Sequence, residues 1–327
     1  MPSTLNIPNR RVCAIDVGTN STRYMIADID RQTRRITVLF QGVQVTRIGA
    51  GIDRGEILPE SAGKTLEAIE QFFAHAISLA VSDFKIIGTA ALREAGNRED
   101  FCKKVLEATG FPLEVVEASK EAAITELAIA HSLTLQQTPF CGLDIGGGSV
   151  QFIFHHPQKQ KGQETSRYQS LSLGAVRMTE RFLMADPPTP SQTDSLQNYV
   201  RAMLGDHLPA DTIGAETWQL VGVGGTITTA AAMVLGLKTY DHGKIHGSII
   251  TKTQWESILR RLSAIPASQR IHLPGLQRGR EDIIVAGLVV LDAITKHLGA
   301  KEVTVSDRGL LYGMLVAYLE EMEQMNT

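Results

Sequence analysis

Two stretches of the chain share one pattern of hydrophobic and polar positions. "VCAIDVGTNSTRYMIADI" near the N-terminus and "LDIGGGSVQFIF" in the middle each run apolar up to an aspartate. A glycine, small polar residues and a serine follow, and the chain then turns apolar again. Asp16, Gly18 and Ser21 align without gaps onto Asp144, Gly146 and Ser149. The residues after each turn are β-branched or aromatic and carry no helix-start signal, so both stretches read as strand–turn–strand. A repeat at most of a domain length predicts two similar folding units.

The remaining pattern fills in strands and helices. "RITVLFQGVQVTRI" continues the first sheet, and "PESAGKTLEAIEQFFAHAISLAV" has helical periodicity after a proline start. "FKIIGTAALREA" reads as a buried strand leading into a short helix. "REDFCKKVLEATG" reads as a helix ended by Gly110, and "PLEVVE" as a strand. Ser119 is expected to cap a long helix through about His131. In the second half, 184–194 reads as a proline-rich surface loop and 194–208 as a helix. The strand "WQLVGVGG", the small-residue helix "TITTAAAMV" and a helix near 253–263 come next. "REDIIVAGLVVLDAITKHLG" is a strongly apolar, buried helix, "EVTVSD" the last strand and "RGLLYGMLVAYLEEMEQM" the last helix. "DHGKIHG" is too rich in glycine for a helix, so the helix-like spacing of His242 and His246 implies no metal pair.

Several positions admit both a chemical and a structural reading. Gly146, Gly147 and Gly148 can adopt positive φ and let a ligand approach the main chain, and their N–H groups can form a phosphate-binding concavity. An ordinary glycine-rich hairpin fits the same letters. Duplication of the turn favours phosphate, because two such turns, one per unit, could face one cleft. The spacing is neither a Walker loop nor a dinucleotide fingerprint, each of which opens a helix. Gly224, Gly225 and Thr226 lie where a strand meets a helix N-terminus, which suits either an anion or tight packing. Glu121 in a first helical turn is stabilised by the helix dipole whether or not it does chemistry. Arg93 reads equally as a solvated helix arginine, and Ser306–Asp307 as a helix cap.

Composition narrows the class. The 327 residues, 43% hydrophobic and 20% charged, suffice for two ordinary cores. A net charge of −3 advertises no nucleic-acid surface, and the arginines gathered between Arg260 and Arg280 fit either an anion patch or, as the simpler reading, a solvated face. No apolar stretch is long enough to span a bilayer, and "MPSTLNIPNRR" lacks the apolar segment of a signal peptide. Three cysteines, without a CxxC pair, fit a reducing cytoplasm, with Cys13 and Cys141 as packing residues inside strands.

Nine segments in order now carry a family resemblance. They are the two turns together with "IIGTAALREAGN", "SKEAA", "LSLGAVRMTERF", "VGVGGTITTAAAM", "IHGSI", "LPGLQRGREDIIVAGLVVLDAI" and "VSDRGLLYGML". Together they resemble the exopolyphosphatase / guanosine-pentaphosphate phosphohydrolase family over nearly the whole chain, in its short two-domain form. The resemblance implies an α/β fold of two ribonuclease-H-like domains with mixed sheets, as in the actin / sugar-kinase / heat-shock-protein superfamily, and an active-site cleft between them. The expected domains are 1–124 and 125–327, with the last helix, 308–324, free to pack back on the first. The implied activity is magnesium-dependent removal of a terminal phosphate from polyphosphate or guanosine pentaphosphate. The implied partners are polyphosphate or guanosine penta- and tetraphosphate, with no nucleic acid, no membrane, and a homodimer left open.

Carried over position by position, Glu121 matches the catalytic glutamate that handles the attacking water, and Asp144 the carboxylate that holds magnesium. Asn20, Ser21 and Arg23 match the first phosphate loop. Gly146, Gly147, Gly148 and Ser149 match the second, and Arg93 matches a phosphate-binding arginine. Such a set suits phosphoryl transfer, which asks mainly for positioning and charge neutralisation. One position departs from the family pattern: Gln151 stands where a glutamate is expected to assist the metal and the water. Glutamine keeps the shape and an oxygen but brings no charge, so the metal half of the site is weakened. Two further readings therefore stand beside the phosphohydrolase: a weakly catalytic or non-catalytic binder of guanosine tetra- and pentaphosphate, and a kinase of the same superfamily.

Overall fold

The computed structural model describes residues 10–157, 166–208 and 218–324. They form two compact units, one built from residues 10–50, 54–128 and 310–324, the other from described residues within 51–53 and 129–309.

The first unit opens with an antiparallel meander of β1 (Arg10–Val17), β2 (Thr22–Asp30) and β3 (Arg35–Gln44). Helix α1 (Pro59–Ser78) has proline in its first turn, where a missing N–H costs nothing. Then come β4 (Asp83–Gly88), α2 (Ala90–Glu94), α3 (Arg98–Thr109) and β5 (Leu113–Val115). Gly110 ends α3 in the left-handed conformation, as expected of a glycine cap. Strands β4 and β5 add in parallel, giving the order β3-β2-β1-β4-β5. Helix α4 (Ala118–Leu133) begins at Ala118, so Ser119 lies inside it rather than capping it. The chain passes from the first unit to the second within α4.

The second unit repeats the plan. Strands β6 (Phe140–Ile145), β7 (Val150–His155) and β8 (Ser166–Leu171) form the meander. Helices α5 (Ala175–Phe182) and α6 (Pro190–His207) follow. Helix α6 starts four residues before the expected 194. The side chain of Thr189 accepts from Gln192 N while the Gln192 side chain returns to the Thr189 N–H, a capping box hidden in the proline-rich stretch. Next are β9 (Gln219–Val223), α7 (Gly224–Val234) and the single turn α8 (His242–Ile245). This turn corrects the expectation of no helix in "DHGKIHG": the Asp241 carboxylate accepts from Gly243 N and Lys244 N and so closes it despite the glycines. Strand β10 (Ile249–Thr251), α9 (Lys252–Ser263), α10 (Ala267–Arg270), α11 (Ile284–His297) and β11 (Glu302–Val305) complete the unit. Strands β9 and β11 run parallel to β6, in the order β10-β11-β9-β6-β7-β8.

Helix α11, buried from Ile284 to Thr295, is the centre of the second unit's core beside Phe152, Phe154, Ile227 and Trp255. The last helix, α12 (Leu310–Gln324), belongs to the first unit. Its Leu315, Val316 and Leu319 pack with Val12, Ala14, Met25 and Ile124. Gly313 permits the approach, since a Cβ there would stand 1.9 Å from the Ile124 carbonyl oxygen. The arginines between 260 and 280 do not form one solvated face. Arg270 is 2% exposed and donates to the carbonyls of Leu262 and Glu281, whereas Arg260, Arg261 and Arg278 are exposed.

Candidate functional site

In the first unit the turn between β1 and β2 is closed by Gly18 N donating to Ser21 O at 3.2 Å. Its carbonyls are tied to the segment after β3: Gly49 N donates to Thr19 O and Arg47 N to Asn20 O, both at 3.0 Å. Asn20 and Ser21 are each 6% exposed. Arg23 lies directly across the strand pair from Asp16, and its Nη2 donates to Asp16 Oδ2 at 2.7 Å. Asp16 is 1% exposed, and its other oxygen, Oδ1, is buried without a hydrogen-bond partner.

The same unit brings Arg93 and Glu121 together. Glu121 lies in the first turn of the sixteen-residue α4, where the helix dipole favours a carboxylate. Arg93, from α2, donates through Nη1 to Glu121 Oε2 at 3.0 Å and to Val116 O at 2.8 Å. Both side chains are largely buried, so this is an orienting contact and not a solvated surface pair. Arg93 is therefore not the solvated arginine its surroundings in the sequence allowed.

The second turn repeats the first bond for bond. Gly146 N donates to Ser149 O at 3.0 Å. Gly174 N donates to Gly148 O and Val176 N to Gly147 O, matching the bonds from Arg47 and Gly49 to Asn20 and Thr19. Ala175 N adds a bond to Gly146 O, and the buried Arg177 donates its Nε to Gly148 O at 3.2 Å. Arg177 is itself held by an ion pair with Asp53. The N-terminal N–H groups of α5 thus take the carbonyls of the turn. Among the described residues no hydrogen bond uses the N–H of Gly147 or Gly148, which leaves those donors for a ligand. None of Gly146, Gly147 and Gly148 has a positive φ, so left-handed backbone is not their reason for being glycine. Close approach is demanded of Gly174, whose Cβ would lie 2.3 Å from the Gly147 oxygen.

Asp144 and Gln151 are direct cross-strand partners on β6 and β7, and Ser170 of β8 continues the row. Direct partners place their Cβ atoms about 5 Å apart on one face of a sheet. Gln151 is 2% exposed, and neither its Nε2 nor its Oε1 has a hydrogen-bond partner. Burying an amide in that state costs about 1–3 kcal/mol. Ser149 is 8% exposed. Beside them α7 begins with Gly224, at φ +84°, where a Cβ would stand 2.3 Å from Asp144 Oδ1. At Gly225 the same addition would stand 1.7 Å from Arg280 Nη2. The small residues opening α7 thus make room for a carboxylate and a guanidinium, and Arg280, named in the sequence only as one end of the arginine cluster, joins the neighbourhood. Its other signal was its place in "LPGLQRGRED".

Asp307 does not behave as a plain helix cap. It accepts from the Tyr240 hydroxyl and lies 2.5 Å from His242 Nδ1. Burial, together with the adjacent Asp307 carboxylate, pushes the Tyr240 phenol well above its usual range, so it stays protonated.

The residues fit magnesium in a particular way. Asp144 offers a carboxylate and Gln151 a neutral oxygen on adjacent strands. Among the described residues no group of three or more His, Cys, Asp or Glu forms a ready cage. Magnesium commonly sits on one or two carboxylates and completes its shell with water and phosphate oxygens, so this donor set suits it.

Comparison with known proteins agrees with this architecture. The model of the Ppx/GppA phosphatase family matches residues 25–322. Exopolyphosphatase 2 of Mycobacterium tuberculosis is 30% identical, with 94% of this chain and 98% of that protein aligned. A crystal structure of the Aquifex aeolicus Ppx/GppA family member superposes with a TM-score of 0.78 at 27% identity, covering 96% of this chain and 99% of that one. An exopolyphosphatase structure from Cytophaga hutchinsonii shares the fold, with a TM-score of 0.85 at 24% identity and 95% and 98% coverage.

Proposed function

Because this chain belongs to the Ppx/GppA phosphatase family, we propose that it is a phosphohydrolase that removes the terminal phosphate from inorganic polyphosphate or guanosine pentaphosphate. The observation that carries the proposal is the duplicated turn, whose carbonyls are tied back in both units and whose second copy has the N–H groups of Gly147 and Gly148 outside any hydrogen bond among the described residues. Polyphosphate is the first substrate to test, since the M. tuberculosis relative is named for it.

In this reading Glu121 orients the attacking water and takes its proton as the oxygen bonds to the terminal phosphorus. The bond from phosphorus to the bridging oxygen breaks, and its electron pair leaves with the shortened chain. Arg93 holds the glutamate in place through the 3.0 Å contact. Asn20, Ser21 and Arg23 bind phosphoryl oxygens from the first turn, and Gly146, Gly147, Gly148 and Ser149 do so from the second. Magnesium, held by Asp144 with Gln151 as a neutral second donor, would neutralise charge on the phosphate oxygens.

The test is phosphate release by the purified protein with magnesium, offered polyphosphates of several lengths and guanosine pentaphosphate in parallel. Release from at least one of them is expected. The neutral Gln151 supports a second reading, a binder of guanosine tetra- and pentaphosphate without turnover. Binding of those nucleotides with no release from any substrate would replace the enzyme by the binder.

A further inference from the structure

Gln151 stands out among the described residues because both of its polar side-chain atoms are buried without a partner. A side chain whose shape alone mattered would be better served by methionine or leucine, which leave no amide unsatisfied. A side chain meant for a cation would be better served by glutamate. The repeat suggests why neither is present. The residue of the first turn equivalent to Gln151 is Arg23: each lies directly across the strand pair from the aspartate that opens its turn. At that position the first unit places an N–H-bearing side chain, whose Nε and Nη2 donate to Asp16, and the Gln151 Nε2 is the same kind of donor in the second, there without a partner.

Charge points the same way. With glutamine at 151 the row from Asp144 to Ser170 carries a single carboxylate, while the guanidinium of Arg280 packs against Gly225 at the start of α7. A second carboxylate here would repel a phosphate until a cation arrived. An amide neither repels the phosphate nor needs that cation.

We propose that Gln151 is a phosphate-binding residue whose Nε2–H donates to a phosphoryl oxygen at the second turn, so that this turn takes a phosphate chain without a divalent cation. The proposal rests on the phosphate-binding reading of the turn but not on turnover.

The test titrates the full chain with sodium tripolyphosphate in excess EDTA, by calorimetry, for the wild type, Gln151→Met and Gln151→Glu. Wild type binds. Gln151→Met binds roughly tenfold more weakly, the loss of one hydrogen bond to a charged group. Gln151→Glu also loses roughly tenfold or more in EDTA, and it recovers when free magnesium is supplied in excess. A structural role would not produce that recovery. Ligand-free Gln151→Met melts no lower than wild type, because an orphan amide has been removed. The proposal is overturned if wild type fails to bind in EDTA, if Gln151→Met binds within twofold of wild type, or if Gln151→Met melts well below it. Should the methionine variant not fold, the near-isosteric glutamate variant decides alone, and equal binding by it in EDTA overturns the proposal. Phosphate release is measured separately. An active enzyme indifferent to Gln151 sinks only this inference, and cation-free binding without release sinks only the enzyme.

Discussion

At the scale of single residues, Glu121 and Arg93 form the contact on which the proposed chemistry would depend. Glu121→Gln keeps the shape but removes the proton acceptor, and turnover should fall by about two to four orders of magnitude. Binding and melting should change little, and steady-state phosphate release beside a thermal melt checks both. A variant with most of its turnover intact would take Glu121 out of the mechanism. The thiols give a second prediction. Burial pushes Cys13 and Cys141 up to about 12, whereas Cys102 is only part-buried and is raised less. The thiolate is the form that alkylates, so iodoacetamide at neutral pH should label Cys102 first in the native protein. Peptide mass spectrometry over time reads the order, and early labelling of Cys141 would mean that β6 opens readily.

At the scale of elements, the second turn is held by the approach of α5, and glycines of different kinds make a test of it. Gly174 has φ −65°, which any residue adopts, yet a Cβ there would run into the Gly147 carbonyl. Gly174→Ala should cost about 1–3 kcal/mol through overpacking and should weaken tripolyphosphate binding as well. Gly63, inside α1 with nothing within 4 Å, is the control: Gly63→Ala should stabilise by about 0.5–1 kcal/mol. Urea denaturation of both variants reads the two signs, and a neutral Gly174→Ala would show that α5 can withdraw without loss. The two strand–turn–strand units were legible in the sequence because strand periodicity and turn residues are local signals, and so was the buried α11. The strap that ties each turn was not legible. Its bonds join Gly147 to Val176 and Thr19 to Gly49 through backbone atoms, which leave no mark in side-chain pattern. The Arg93–Glu121 contact was hidden for a different reason: it joins side chains 28 residues apart in the chain. The capping box of α6 was readable in "TPSQ" but was masked by the prolines around it.

At the scale of the whole molecule, the first unit is completed by α12. Deleting 310–324 would strip Leu315, Val316 and Leu319 from the face formed by Val12, Ala14, Met25 and Ile124. Each fully buried aliphatic side chain is worth about 1.5–3 kcal/mol, so the loss rivals a typical domain's entire stability. Hydrogen exchange should then show protection lost across β1 and β2 but kept in α11, and retained protection in β1 would mean that the unit closes without its last helix. This threading also has a consequence for synthesis. A ribosome makes the strands of the first unit early, then spends the span 129–309 on the other unit before α12 emerges. At roughly 5–20 residues per second that interval is about 10–40 seconds. For that time the nascent first sheet carries an uncovered apolar face, a natural binding surface for a chaperone. The second unit, lower in the reading order, is the one whose residues are all available first.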